Sequence, residues 1–232
     1  MTEPLPKKSD LPVRVASAVV MVAVAGTALW LGGWWWTAFV AAVALGVLWE
    51  WRRLVMGFAV GAAARAIWTI AGLIYVATAA AILIVLRAPL FGGVTTALIT
   101  LALVIATDIG AYLTGRTIGG SKIAPQISPS KTWSGLIGGM VAATVALWLC
   151  SRAFETSFLS NSRDIFVIGP LGAVLAQGGD FFESWMKRRA GVKDSGTLLP
   201  GHGGLFDRVD GLLSVLVGFA VISAAGGIFR WW

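Results

Sequence analysis

Arg65-Ala-Ile-Trp-Thr-Ile-Ala-Gly-Leu-Ile-Tyr-Val-Ala-Thr-Ala-Ala-Ala-Ile-Leu-Ile-Val-Leu-Arg87 decides the fold. No side chain between the two arginines is charged, and roughly 20 apolar residues in a helix are what a hydrocarbon core about 30 Å thick requires. The pattern recurs along the chain. Charge-free runs near 15–31, 34–50, 66–86, 90–107, 134–150, 165–179 and 211–229 predict about seven transmembrane helices, with six to nine as the range that uncertain edges allow. The run at 165–179 is short, as a tilted or partly re-entrant segment would be, and Leu54 to Ala64 is a candidate for a further short buried helix.

Composition agrees with that reading. Hydrophobic residues make up 57% and charged residues 12%, against about a quarter charged in soluble proteins. The expected architecture is an all-α polytopic membrane bundle, one domain over 1–232 with a polar tail at 1–12. The first apolar run follows a basic segment as a signal peptide would, but the chain goes on crossing the membrane, so a retained signal anchor fits better. Cys150 is the lone cysteine and can form no intramolecular disulfide.

Lysine and arginine set the orientation. With the N-terminus cytoplasmic, 14 of the 18 basic residues fall inside; only Arg87, Arg152, Arg163 and Arg230 fall outside. The positive-inside rule selects this topology. The net charge of +7 is then explained by anionic lipid at the cytoplasmic face, and no nucleic-acid partner is needed. The Trp34-Trp35-Trp36 cluster and Trp231-Trp232 read as interfacial anchors on the outer side, and Gly135, Gly138 and Gly139 as sites of close helix packing.

Charge is scarce, and it concentrates in one place. From Asp180 to Asp210 the chain carries Asp180, Glu183, Asp194, Asp207 and Asp210 among Lys187, Arg188, Arg189, Lys193 and Arg208, with the single histidine, His202. The predicted topology puts this run on the same side as the loop around Ser128 to Lys131. Asp207 and Asp210, spaced i, i+3, share a face if the last helix begins near Asp207, and acids at a membrane entrance are costly unless paired or bound to a cation. Pro200-Gly201-His202-Gly203-Gly204 is a turn whose backbone amides can approach a phosphate unobstructed. Carboxylates that hold Mg²⁺ beside bases that hold phosphate oxygens suit phosphoryl or nucleotidyl transfer.

The stretch Ser184 to Asp210 resembles, position by position, the signature of the phosphatidate cytidylyltransferase (CDP-diacylglycerol synthase) family: S-x-x-K-R, K-D, G, P-G-H-G-G and D-R-x-D. Gly179-Asp180 and Glu183 extend it. A second element, Ser128-Pro129-Ser130-Lys131-Thr132-Trp133-Ser134-Gly135, preceded by Asp108, Tyr112 and Gly115, is similar to the family's S-P-K-K-T-W-E-G, with Ser130 in place of the usual Lys and Ser134 in place of the usual Glu. Arg14-Val-Ala-Ser17-Ala is similar to the family's opening.

The resemblance implies that CTP and phosphatidic acid react to give CDP-diacylglycerol and pyrophosphate. The nucleophile, a phosphomonoester oxygen, is already anionic, so repulsion between phosphates is the obstacle, and metal ions with fixed cations are the remedy. Asp180 and Asp207 are the first candidates for Mg²⁺ and Asp210 the next; a second, monovalent cation is left open. Lys187, Arg208 and Lys193 join Asp180 and Asp207 as candidate catalytic residues. Ser128, Lys131, Thr132, Ser184, Arg188, Asp194, His202, Gly203, Gly204, Asp108 and Tyr112 are candidate substrate-binding residues. Which base serves which phosphate stays open. His202 reads as a donor to phosphate or as a loop-shaping residue, Glu183 as an ion-pair partner of Lys187 or a functional acid, and Asp194 as a cap of the following turn or a site residue. The implied setting is a homodimer in a bacterial-type inner membrane with its active site facing the cytoplasm. Two alternatives carry other expectations: a CTP-dependent polyprenol or phytol kinase or CDP-archaeol synthase would share the charged face, whereas an ion-coupled transporter would place Asp108, Asp180 and Asp207 near the bilayer midplane.

Overall fold

A computed structural model describes residues 11–154 and 162–224. Lys7, Lys8, Arg230, Trp231 and Trp232, with most of the polar tail, lie outside the described residues. Seven α-helices are seen within them: α1 (Leu11–Leu31), α2 (Gly33–Phe58), α3 (Ala62–Leu86), α4 (Val94–Thr117), α5 (Trp133–Ala153), α6 (Ser162–Arg189) and α7 (Phe206–Ala224). A short antiparallel hairpin, β1 (Lys122–Ala124) and β2 (Ser128–Thr132), joins α4 to α5. The all-α bundle expected from composition is therefore present, with a small hairpin at its rim that hydropathy does not announce.

Five helices, α1, α3, α4, α5 and α6, are long and apolar enough to cross a membrane. The other two expected spans fall short of that standard for visible reasons. In α2 tryptophans stand at 34, 35, 36, 49 and 51 and the last third carries Glu50, Arg52 and Arg53. In α7 the first five residues include Asp207, Arg208 and Asp210. Both nonetheless pack into the bundle: α2 lies on α3, and α7 lies between α3 and α6.

Two further expectations are corrected. Leu54 to Ala64 forms no separate helix, because α2 runs unbroken to Phe58 and α3 starts at Ala62 after a turn at Gly61, whose φ of 84° suits glycine. The run at 165–179 is not a short or re-entrant span but the middle of α6, a 28-residue helix that carries Pro170 inside it and continues past Asp180 to Arg189. Asp180 thus sits within a continuous helix, more than two turns before its end.

Three apolar clusters hold the bundle. The first joins α2, α3, α6 and α7 around Val47, Trp51, Leu54, Val76, Met186 and Phe206. Here Trp51 stands 5.7–6.5 Å, ring centre to ring centre, from Trp68, Tyr75, Phe182 and Phe206, and its indole N–H donates to the Trp68 carbonyl at 2.8 Å. The second joins α4 through α7 around Leu103, Leu147 and Ile168. The third, at the opposite end from the polar run, contains Trp36, which is 3% exposed and donates to the Leu83 carbonyl. Trp34 and Trp35 are exposed as anchors should be; Trp36 is turned into the core instead.

The α4–α5 contact depends on small residues. A Cβ on Gly110 would lie 2.4 Å from Ala142 Cβ and 2.6 Å from the Gly138 carbonyl oxygen, one on Gly138 2.0 Å from Thr114 Oγ1, and one on Gly135 3.0 Å from the Ala111 carbonyl oxygen. Backbones that approach this far gain packing that lipid cannot supply. We expect Gly110→Val to lower thermal stability in detergent by about 1–3 kcal/mol, while Gly26→Val on α1, with nothing within 4 Å of its Cβ, leaves the melting temperature unchanged; equal melting of the two variants would refute the packing role.

Candidate active site

Helix periodicity builds the site. Asp180, Glu183, Ser184 and Lys187 fall on one stripe of α6, and the stripe faces the first turn of α7. Lys187 Nζ donates to Glu183 Oε2 at 2.6 Å and to Asp207 Oδ1 at 2.5 Å. This amine, mostly buried with both carboxylates, ties the two helices. Glu183 is 1% exposed and its second oxygen, Oε1, is buried with no hydrogen-bond partner among the described residues. One turn nearer the apolar core, Asp180 lies within electrostatic reach of Asp210, and Asp180 pairs with Lys131 from β2. Lys131 also stands over the Phe181 ring at 4.9 Å.

The hairpin brings Lys131 there for local reasons. Thr132 is the N-cap of α5, its Oγ1 accepting from Gly135 N–H at 3.0 Å, and Ser134 Oγ donates to the Gly119 carbonyl. Arg188 on α6 donates to the Ile127 carbonyl at 3.3 Å. The hairpin is therefore pinned on both sides, with Ser128 buried and Lys131 projecting between. Ser134, where a glutamate is usual in the resembling motif, closes the hairpin through its hydroxyl.

A cavity of about 430 Å³ opens beside Lys131, lined by Asp108, Tyr112, Arg116, Lys131, Gln177 and Asp180 among others. Asp108, Tyr112 and Arg116 follow one another at i, i+4 and i+8 on α4, and Arg116 donates to the Tyr112 hydroxyl at 2.6 Å. Beyond them α4 turns Ile105, Ile109 and Leu113 outward. The cavity thus has ionic walls and an apolar flank.

On the other side of α6 the glycine-rich loop wraps Asp207. Its Oδ2 accepts from Ser195 N–H (3.0 Å), Ser195 Oγ (2.9 Å) and Gly204 N–H (2.9 Å). Gly203, with φ 85°, and Asp194 stand beside it. His202 points away from this group: its Nδ1 shares a 2.8 Å hydrogen bond with Ser17 on α1, whose hydroxyl also lies 2.9 Å from the Pro200 carbonyl, and its own carbonyl accepts both Nε and Nη2 of Arg208. Of the two readings open for His202, the loop-shaping one matches these contacts. Lys193 and Asp194 are exposed, and Ser184 is half-buried on α6.

The predicted residues therefore assemble into two adjoining groups. Asp108, Tyr112, Lys131, Thr132 and Asp180 meet at the cavity, and Lys187, Asp207 and Gly204 meet under the loop, with Asp210 next to Asp180. Among the described residues no three His, Cys, Asp or Glu side chains are gathered closely enough to hold a metal ion by themselves. Sequence reasoning missed Glu50 and Ser195, which bind the loop from beneath, and Gln177, a buried wall of the cavity. A signal existed for Glu50: an acid at the end of an apolar run is a functional hypothesis by default.

The family model described as "Cytidylyltransferase family" matches residues 57–225. The chain is 34% identical to a protein named phosphatidate cytidylyltransferase from Brucella suis, over an alignment of 262 positions covering 95% of each. It is 36% identical to one of the same name from Rickettsia bellii, over 89% of this chain and 88% of that one. A third, from Haemophilus influenzae, is 43% identical over 51% of this chain and 42% of its own.

The Lys187 bridge predicts a stability effect independent of any reaction. Lys187→Met leaves two acids without their cation, and we expect a loss of about 3–5 kcal/mol in unfolding from detergent; adding Glu183→Leu should recover part of it. No recovery in the double variant would mean that Glu183 is not held by this pair.

Proposed function

Since the chain belongs to the phosphatidate cytidylyltransferases of the cytidylyltransferase family, we propose that the charged rim is where it transfers the cytidylyl group of CTP to phosphatidic acid, giving CDP-diacylglycerol and pyrophosphate. The observation that carries this placement is the alternation of buried acids and amines, Lys131 with Asp180 and Lys187 with Glu183 and Asp207, beside a cavity with one apolar flank. A phosphate oxygen of phosphatidic acid bonds to the α-phosphorus of CTP as the bond to the bridging oxygen breaks, and pyrophosphate leaves with that electron pair. No proton need be removed from the nucleophile. What the chain must supply is alignment and cancellation of charge. Lys131 and Lys187, released from their carboxylates, are the amines placed to neutralise phosphate oxygens; the pinned hairpin fixes where Lys131 stands, and α6 fixes where Lys187 stands. Arg208 and Lys193 at the exposed edge meet the part of the triphosphate that reaches water. The acyl-bearing substrate comes in over α4, where Ile105, Ile109 and Leu113 face outward and Arg116 and Tyr112 meet its headgroup.

Mg²⁺ belongs to the same proposal. The donors present fit it: hard carboxylate oxygens, two of them on neighbouring turns of α6 and α7, and an orphaned buried oxygen at Glu183. Mg²⁺ is commonly held by one or two carboxylates with substrate phosphates completing the shell, so Asp180 and Asp210 are the pair to hold it. Asp207 joins them only when Lys187 leaves its Oδ1, since its other oxygen already accepts two backbone N–H groups and lies 2.9 Å from the Ser195 hydroxyl. When bound, the ion offsets charge on the phosphates. A second, monovalent cation is part of the expectation without a site of its own. The enzyme also works, on this reading, as a homodimer in a bacterial inner membrane with the rim in the cytoplasm; the excess of lysine and arginine at that end supports the orientation.

Purified protein given labelled CTP, phosphatidic acid and Mg²⁺ should form a lipid-linked cytidylyl product, and chelation should abolish it. Asp180→Asn and Asp207→Asn should each reduce turnover by about 100-fold or more, and Lys131→Ala should impair it. Absence of product, or full turnover in both Asn variants, refutes the reading.

A further inference from the structure

Glu50 is a buried acid with no ion pair among the described residues. It is 0% exposed, in the last third of α2, and neutral donors surround it: Phe206 N–H at 2.8 Å and Ser195 Oγ at 2.9 Å on Oε2, and Leu205 N–H at 3.0 Å on Oε1. Phe206 opens α7 and Leu205 stands just before it, and their amides are among the donors that a helix start leaves without an internal partner. A side chain from α2 therefore caps α7, the helix whose second residue is Asp207, and its negative charge favours that end of the helix dipole.

Ser195 completes the link. Its hydroxyl lies 2.9 Å from Glu50 Oε2 and 2.9 Å from Asp207 Oδ2. One hydroxyl has one proton, so it donates to one carboxylate at a time. In either position both acids keep their backbone donors, Asp207 from Ser195 and Gly204, Glu50 from Leu205 and Phe206. The surrounding space is fitted to this pair. A Cβ at Gly196 would stand 2.2 Å from Glu50 Oε1, and one at Gly204 would stand 1.9 Å from Ser195 Oγ and 2.7 Å from Glu50 Oε2. An apolar anchor would hold α2 to α7 without the cost of burying a carboxylate, so the acid needs a reason beyond packing.

We infer that Glu50 and Ser195 are positioning residues for Asp207: Glu50 fixes the turn of α7 that carries it, and the Ser195 hydroxyl moves between the two carboxylates, giving Asp207 a donor or withdrawing it as cationic charge gathers opposite. The inference rests on the cytidylyl-transfer reading, because it assigns Asp207 a part that changes during turnover.

The test uses the full chain in detergent with CTP, phosphatidic acid and Mg²⁺. Ser195→Ala leaves the Glu50 cap intact, and we expect kcat to fall about tenfold or more, with KM for CTP within about threefold of wild type. Glu50→Gln turns an amide N–H against its former donors and should fall at least as far, and the double variant should be no slower than Glu50→Gln alone, because both act through one carboxylate. Wild-type kcat in Ser195→Ala, or losses that multiply in the double variant, overturns the inference. Amide hydrogen exchange reads it without turnover: peptides covering 195–210 should exchange faster in Glu50→Gln while those from α4 and α5 do not, and unchanged exchange there overturns it. A wild-type protein that forms no product refutes the assigned reaction, and the exchange result then decides the positioning claim on its own. Should Glu50→Gln fail to fold, Ser195→Ala carries the kinetic test.

Discussion

A mostly buried lysine amine shared by two acids, Lys187 between Glu183 and Asp207, governs how α6 and α7 meet. Burying an ion without a partner costs several kcal/mol, so α6 and α7 must meet in the register that brings these three groups together. That register puts Asp180 next to Asp210 one turn deeper. It also leaves Asp180 facing the hairpin, where Lys131 answers it.

Rigidity and access are divided between the two sides of α6. The cavity side offers room, ionic walls and an outward apolar flank on α4. On the loop side the backbone is nearly filled with hydrogen bonds, Gly196 and Gly204 pressed against Glu50 and Ser195 with no space for a side chain. An enzyme whose two substrates come from water and from lipid is well served by such a division. One wall must stay open to acyl chains, while the groups that align charge must not drift.

How much of this is legible in the sequence follows from what each signal reports. Long charge-free runs report solvent, and they located the helices that face lipid, Ala62–Leu86 above all. They also located α2, which a hydropathy standard passes over because tryptophan lowers apparent hydropathy while still packing in a core, as Trp51 does. They also cut α6 short at the first charge, although a helix can pass through Asp180 when Lys131 is waiting opposite it. The i, i+4 spacing of Glu183 and Lys187 announced their pair; nothing local announced that Asp207 would join it. Motif similarity named most of the rim residues, yet the pairings of His202 with Ser17 and of Glu50 with Ser195 join positions 185 and 145 apart, and no spacing rule reaches that far.

The separation between Glu50 and its partners also has a meaning in time. At about 5–20 residues per second, the ribosome reaches Ser195 roughly 7–30 s after it has made Glu50, and throughout that interval the acid on α2 has none of the donors that surround it in the folded chain. The end of α2 must wait at the water interface, with Arg52 and Arg53 beside it, until the last helix arrives to cover it. The loop side of the site is therefore built late, after the residues that line the cavity. The rim closes only when the C-terminal third has been synthesised, and a truncated chain holds an uncapped acid in place of a partly built enzyme.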